Sequence, residues 1–269
     1  MGKTHLEHNI IAHNKIAKKY EATHGEIYND IEQTRLRQSL EKAVSHITTG
    51  SEHFTALDFG CGAGNLTKHL TDIGCNVIAA DVSIGFLDLV GSRTYRSNVE
   101  TLQLNGVDLK NVPDASVDMV ATYSVLHHVP EYLPLMKEFA RVLKPGGVLY
   151  IDHEASDMLW QNEALSEFQK NIKRSSASDM RKYFVATNYI DRFIRMFSDP
   201  KYQREGDIHV FPDDHIEWSS IRNELSASGM QVVHEEDYLL YRRNYNKSVY
   251  ESWKDKVGDM HLLVAKKAS

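Results

Sequence analysis

The chain has 269 residues, with 31 Lys+Arg against 37 Asp+Glu for a formal net charge of −6, and 42% hydrophobic and 25% charged residues. That balance excludes disorder as the main state and argues against a dedicated nucleic-acid binder, whose affinity rests on Lys and Arg clustered over phosphate. No stretch approaches the roughly 18 uncharged apolar residues of a spanning helix, the Met1-Gly2-Lys3-Thr4-His5 start has no apolar signal core, and Cys61 and Cys75 are too few for a disulfide framework, so reduced cysteines and cytoplasmic residence are expected.

Residues 1–50 read as helical: Ile10, Ile11, Ile16, Ala17 and Tyr20, then Leu36, Leu40, Ala43, Val44 and Ile47, recur at helical spacing. From Thr55 short apolar runs alternate with helix-period stretches, the pattern of a parallel sheet with crossover helices. Strands are predicted at 55–59, 76–80, 99–104, 117–123 and 147–152, and helices at 64–73, 83–94 and 132–143, the last closed by Lys144-Pro145-Gly146-Gly147. After Glu154 a polar, aromatic-containing segment runs to about His215 and reads as a helical insertion. Ile216–Met230 returns to helix, and Gln231–Tyr241 and Asp259–Lys266 read as a terminal antiparallel hairpin joined by a polar stretch, 242–258, whose conformation stays open.

The most informative segment is Leu57-Asp58-Phe59-Gly60-Cys61-Gly62-Ala63-Gly64-Asn65, at a strand-to-helix junction. Glycines there let the backbone turn tightly and approach a ligand, with helix N–H groups facing it. A dinucleotide fingerprint needs G-x-G-x-x-G, whereas position 65 is Asn, and no Lys-Ser or Lys-Thr follows Gly64 as a nucleoside triphosphate loop requires. Asp81 ends the second strand 21 residues after Gly60, where an acid can accept hydrogen bonds from both ribose hydroxyls. An adenosine-type ligand without phosphates fits both features.

Together with this loop and Asp81, the segments Gly106-Val107-Asp108-Leu109, Asp118-Met119-Val120, Ser124-Val125-Leu126-His127-His128-Val129 and Leu143-Lys144-Pro145-Gly146-Gly147 resemble class I S-adenosylmethionine (SAM)-dependent methyltransferases, closest to their small-molecule, type 11-like branch. The resemblance covers about 55–153. It implies a Rossmann-like α/β fold: a seven-stranded, mostly parallel sheet with an antiparallel last strand. It divides the chain into a helical lid at 1–50, a SAM-binding core at 51–154, an insertion over the substrate opening at 155–215 and the rest of the same core sheet at 216–269. It implies cofactor roles for Gly60, Cys61 and Gly62 against the methionyl and ribose parts, Asp81 on the ribose and Asp108 on the adenine amino group. Val82 and Leu109 would flank the adenine, the backbone near Ser124 would face the methionyl group, and Tyr20 would lie near SAM, with His24 and Tyr28 as further lid residues. Asp58 either touches the cofactor or holds backbone amides of its loop.

SAM carries an activated methyl group, so alignment of an acceptor and exclusion of water should dominate the chemistry. His127 and His128 follow the fourth strand at the carboxyl edge, where open α/β sheets bind ligands. His127 is nominated as the closer to the transfer centre and His128 for the substrate. Asp152-His153-Glu154 ends the fifth strand at the same edge, with His153 as candidate base and Glu154 as its orienting partner or a further catalytic group. His209, Asp213, His215 and Trp218 are nominated for a polar substrate pocket; the alternative is that an Asp caps the following helix and Trp218 is core. No metal site is expected, because no tight multi-ligand spacing stands out there. Signatures of DNA-base and protein-arginine methylation are missing after the fourth strand, which leaves a small or medium polar metabolite as acceptor, and the His, Asp, Tyr and Trp content of the candidate pocket puts a sugar or nucleotide-sugar foremost. The alternative is a catalytically silent SAM-binding protein; an NAD-dependent oxidoreductase comes third. Oligomeric state is not readable.

Overall fold

A computed structural model gives the structure of the chain at residues 20–175 and 207–269, together with Glu7, Ile10, Ile11, His13 and Asn14. In chain order the elements are α1 (Tyr20–Thr23), α2 (Asp30–Val44), β1 (Thr55–Phe59), α3 (Asn65–Ile73), β2 (Asn76–Asp81), α4 (Ile84–Gly91), β3 (Val99–Gln103), β4 (Val117–Tyr123), α5 (Tyr132–Val142) and β5 (Leu143–Ala155). They continue with α6 (Met158–Gln161), α7 (Glu163–Ser175), a two-residue hairpin of β6 (Val210–Phe211) and β7 (Asp214–His215), α8 (Trp218–Ala227), β8 (Met230–Tyr238), α9 (Lys247–Trp253) and β9 (Met260–Lys267).

Seven strands form one sheet in the order β3-β2-β1-β4-β5-β9-β8. β1 to β5 pair in parallel, while β9 runs antiparallel to both of its neighbours. The expected fold class is therefore the observed one. Period-2 alternation sorts the side chains between two faces. Leu57, Phe59, Val120, Leu149 and Ile151 join the core under α5 and α8, where Leu135, Met136, Phe139, Trp218 and Leu225 are buried. Ala56, Met119, Ala121, Val148 and Tyr150 join the opposite core, with Leu36 and Leu40 of α2 and Leu66 and Leu70 of α3. β4 is buried along its whole length, as befits the central strand of a doubly covered sheet.

The strands and helices expected from 55 to 155 appear within a few residues of their predicted ends, except that β5 begins at Leu143 rather than 147. The open stretch 242–258 contains α9, whose Tyr250 packs with Leu165, Phe168 and Ile172 of α7. The expected insertion is helical where it is described, at α6 and α7, and ends in the β6–β7 hairpin; residues 176–206 lie outside the described residues. Among the described residues, no helix is long and apolar enough to cross a membrane.

A bulge in β5 decides the fate of two nominated catalytic groups. The pairing of β5 with β9 shifts register between Ile151 and Glu154, and His153 has φ 63°, a left-handed conformation rare outside glycine. The extra residue puts Asp152 and His153 on the α2 side together and sends Glu154 toward the turn after β4.

Candidate active site

At the carboxyl ends of β1, β2 and β4 lies a cavity of about 360 Å³, within the size range of small-molecule sites. Its floor is the turn after β1. The Gly60 and Cys61 amides both donate to the Ala80 carbonyl, 2.8 and 3.0 Å, which ties the turn to the end of β2. Gly60 has φ 74°, and a Cβ there would stand 2.5 Å from Val125 Cγ2, so only glycine fits. Gly62, φ 48°, meets nothing closer than 4.0 Å where its Cβ would be, and its amide donates to Asp81 Oδ2 at 2.9 Å.

Asp81 is buried on the cavity wall. Its second oxygen, Oδ1, accepts the Ser83 amide at 2.8 Å. Each carboxylate oxygen thus takes one backbone donor and keeps further lone-pair positions. Burial pushes the Asp81 carboxyl above its ordinary value, against the pull of those amides. Asp58 lies behind the loop, takes the Thr67 hydroxyl at 2.5 Å, and is raised by burial to about 7. Asp108 lines the far end, where Asn105 donates to it at 2.7 Å and Lys110 pairs with it at 2.5 Å; both hold its carboxyl below the usual range.

The nominated cofactor residues Tyr20, Asp58, Gly60, Cys61, Gly62, Asp81, Val82, Asp108 and Ser124 all line this one cavity. Leu109 does not: it is buried in the core beneath α5, and its amide donates to Glu138 at 3.0 Å. Leu104 and Val107 stand on the wall instead, together with Phe86 and His13, which the sequence did not nominate. Asn14, Tyr20 and Glu21 stand against this part. Tyr20 stacks on His24 at 3.8 Å and meets Phe86 edge-on at 5.4 Å, while Asn14 accepts hydrogen bonds from Ser83 Oγ and the Gly85 amide. Arg93 bridges Glu21 to the Ala63 carbonyl, 2.7 and 2.6 Å, and so clamps α1 to the glycine turn. Tyr28 also lines the cavity.

The nominated bases are placed differently. His153 is buried behind Tyr123, stacked on its ring at 4.6 Å, with Nδ1 3.3 Å from the Tyr238 hydroxyl. It does not reach the cavity wall, because the bulge turns it toward α2. Glu154 cannot orient it: Oε1 accepts the Val125 and Leu126 amides at 2.8 and 2.7 Å, and Oε2 meets His127 Nδ1 at 2.7 Å. The order of the two histidines is reversed as well. His128 lines the cavity, whereas His127 is braced by Glu154 at its side.

None of the four remaining substrate candidates lines the cavity. His209 contacts Asp214 and the Val129 carbonyl, and Asp213 is exposed in the β6–β7 turn. His215 packs on Trp160, and Trp218 is core, its indole N–H donating to the Ala155 carbonyl at 2.8 Å. Trp218 follows the helix-facing side of the sheet, where a large apolar ring contributes more by burial than at a polar opening.

Beneath the cavity lies a polar cluster that the sequence did not reveal. Arg35 of α2 bonds Glu32 and Asp152 and sits 3.7 Å over the Tyr238 ring; Tyr123 donates to Glu32, and Tyr150 and Tyr238 to Asp152. Burial raises Glu32, but Arg35 and His153 outweigh it and hold the carboxyl at about 2. Because Tyr123 also lines the cavity, this cluster fixes one wall to α2.

A glycine turn after β1, a buried acid ending β2 and a 3-2-1-4-5 parallel core with an antiparallel partner strand are the arrangement of the class I, Rossmann-like methyltransferase fold. Comparison with known proteins agrees: residues 57–151 match the family model described as a methyltransferase domain. That segment is thus similar to a methyltransferase domain over about a third of the chain. The demethylmenaquinone methyltransferase of Bacillus licheniformis is 37% identical over 97 residues, 35% of this chain and 41% of that protein. The malonyl-[acyl-carrier protein] O-methyltransferase of Yersinia pestis is 29% identical over 115 residues, 41% of this chain and 42% of that protein. The chain thus spans about two fifths of the length of these relatives. The crystal structure of a SAM-dependent methyltransferase from Mesorhizobium loti shares the fold, with a TM-score of 0.55 at 15% identity over 86% of this chain and 96% of that one.

Proposed function

We propose that the chain is a SAM-dependent methyltransferase that moves a methyl group to an O or N atom of a small polar metabolite. The observation that carries this reading is the Asp81 carboxylate, buried on the cavity wall and fixed by the Gly62 and Ser83 amides, one on each oxygen. Those residues suit the cofactor. Asp81 offers acceptors to a ribose, the open space at Gly62 admits a close ligand, and Val82, Leu104 and Val107 give an apolar surface beside Asp108 for an adenine. The acidic side chains also complement a sulfonium's positive charge.

When bound, SAM supplies an electrophilic methyl group, and the chain's task is to bind, align and exclude water. The turn from Gly60 to Gly62 and Asp81 hold the nucleoside end. Tyr20, Phe86 and His13 cover it. The acceptor side lies near Val125, His128, Val129 and Glu131, at the end of β4. His209, Asp213, His215 and Trp218 stand off the cavity wall, so a sugar is one small polar acceptor among others.

A second reading, a SAM-binding protein without transfer, is favoured by the absence of His153 and Glu154 from the cavity wall. Isothermal titration with S-adenosylhomocysteine, followed by labelled methyl transfer from SAM to a panel of hydroxyl and amine acceptors including sugars, separates the two. Binding with transfer supports the first reading and binding without transfer the second; no binding rejects both.

A further inference from the structure

β4 runs into a single 3-10 turn, Leu126–His128, that sets two histidines side by side, ring centroids 4.2 Å apart. A third group arrives from far along the chain. The Ile208 and His209 amides both donate to the His127 carbonyl, 3.0 and 3.3 Å, and this backbone clasp holds Asp207 against the pair. Asp207 Oδ1 lies 3.3 Å from His128 Nδ1 and 3.9 Å from His127 Nε2, and one ligand atom from each of the three residues falls within 4.8 Å of the others. In a tetrahedral site with bonds of about 2.0–2.1 Å, neighbouring ligand atoms stand about 3.3 Å apart. The Asp207–His128 separation already equals that, and the Asp207–His127 one exceeds it by 0.6 Å.

The other side of His127 supports the same chemistry. Its Nδ1 meets Glu154, a carboxylate only 1% exposed and held in place by two backbone amides. With Nδ1 taken up by Glu154, Nε2 is the ring nitrogen on the Asp207 side, 3.9 Å from Oδ1. A carboxylate behind an imidazole is how metal-ligating histidines are commonly oriented and made more basic. Two imidazoles and one carboxylate suit a first-row transition ion, whereas Mg²⁺ and Ca²⁺ prefer oxygen-only shells.

We propose that His127, His128 and Asp207 bind one divalent transition-metal ion of the Zn²⁺ or Co²⁺ type at the edge of the cavity. His128 belongs to both the cluster and the cavity wall, and three protein ligands leave room for an exogenous oxygen. In the methyl-transfer reading, on which this step rests, the ion would lower the pKa of an acceptor hydroxyl that completes its shell, and the proton would pass to solvent. The acceptor oxygen forms the O–C bond as the donor's S–C bond breaks, and S-adenosylhomocysteine leaves. A metal-bound hydroxyl needs no protein base, which fits a cavity that neither His153 nor Glu154 reaches. The site departs from the expectation of no metal because its ligands come from two distant segments rather than from one spaced motif.

The test titrates Co²⁺ into the full chain after chelator treatment and reads its visible d–d absorption, with Zn²⁺ as competitor. The proposal predicts one equivalent bound, displaced by Zn²⁺, with affinity reduced at least about tenfold in Asp207→Asn and in His127→Ala. As a second measurement, Zn²⁺ should raise the melting temperature of the parent by more than that of Asp207→Asn at the same concentration. Absence of stoichiometric Co²⁺ binding in the parent, or unchanged binding in both variants, overturns the site. S-adenosylhomocysteine titration of the same preparations decides the methyl-transfer reading separately.

Discussion

Asp81→Asn perturbs the ribose acceptor with little change in volume. In the parent, Gly62 N–H points at Oδ2 and Ser83 N–H at Oδ1, at 2.9 and 2.8 Å. Asparagine supplies one oxygen and one NH2, so one of those amides must face another donor, and the anionic acceptor for the ribose hydroxyls is gone. Hydrogen bonds to a charged group contribute about 1.5–3 kcal/mol, so S-adenosylhomocysteine affinity should fall about 10- to 150-fold. Stability should move less than affinity, because burial penalises the Asp81 charge and the neutral amide escapes that penalty. Isothermal titration at neutral pH, with circular dichroism to verify the fold, reads both effects. A folded variant with parental affinity would refute the placement of the ribose.

Three further perturbations probe the scaffold around it. Gly60→Ala forces a left-handed residue, costing about 1–2 kcal/mol, and drives a Cβ into Val125; its melting temperature should drop by several degrees, with partial recovery in the Gly60→Ala/Val125→Ala double variant and none if the steric argument is wrong. Asp58, raised by burial to about 7, holds its proton more tightly folded than unfolded, so its contribution to stability is full below about pH 4 and lost as pH rises through about 7. Urea titrations across that window should show Asp58→Asn gaining on the parent by at most about 4 kcal/mol toward the alkaline end, and parallel pH profiles would contradict this. Arg35→Met leaves Glu32 and Asp152 buried without their cation, a loss of about 3–5 kcal/mol in urea unfolding; a change under about 1 kcal/mol would show that the cluster is not held by that charge.

What the sequence disclosed was local. The glycine turn and Asp81 were legible because a strand end, a helix start and the residues between them are neighbours along the chain, and their chemistry follows from that short geometry. The same holds for β1 and β4, whose apolar runs reflect burial on both faces. The candidate bases stand away from their expected places where the backbone leaves its regular period. One bulge at Asp152–His153 moved His153 behind Tyr123 and Glu154 to the opposite side, and a single 3-10 turn exchanged the places expected for His127 and His128. Leu109 followed the core because its neighbours in space, on α5, lie about one βα unit away. The cluster of Arg35, Glu32 and Asp152 joins residues more than a hundred positions apart, and the meeting of Asp207 with His127 and His128 is likewise made only by the fold.

A crystal structure of the chain grown with S-adenosylhomocysteine tests the central claim most directly. The account predicts the nucleoside in the cavity over Gly60–Gly62, with both ribose hydroxyls donating to the Asp81 carboxylate and the adenine beside Asp108. An empty cavity at saturating ligand, or a nucleoside seated away from Asp81, would contradict it.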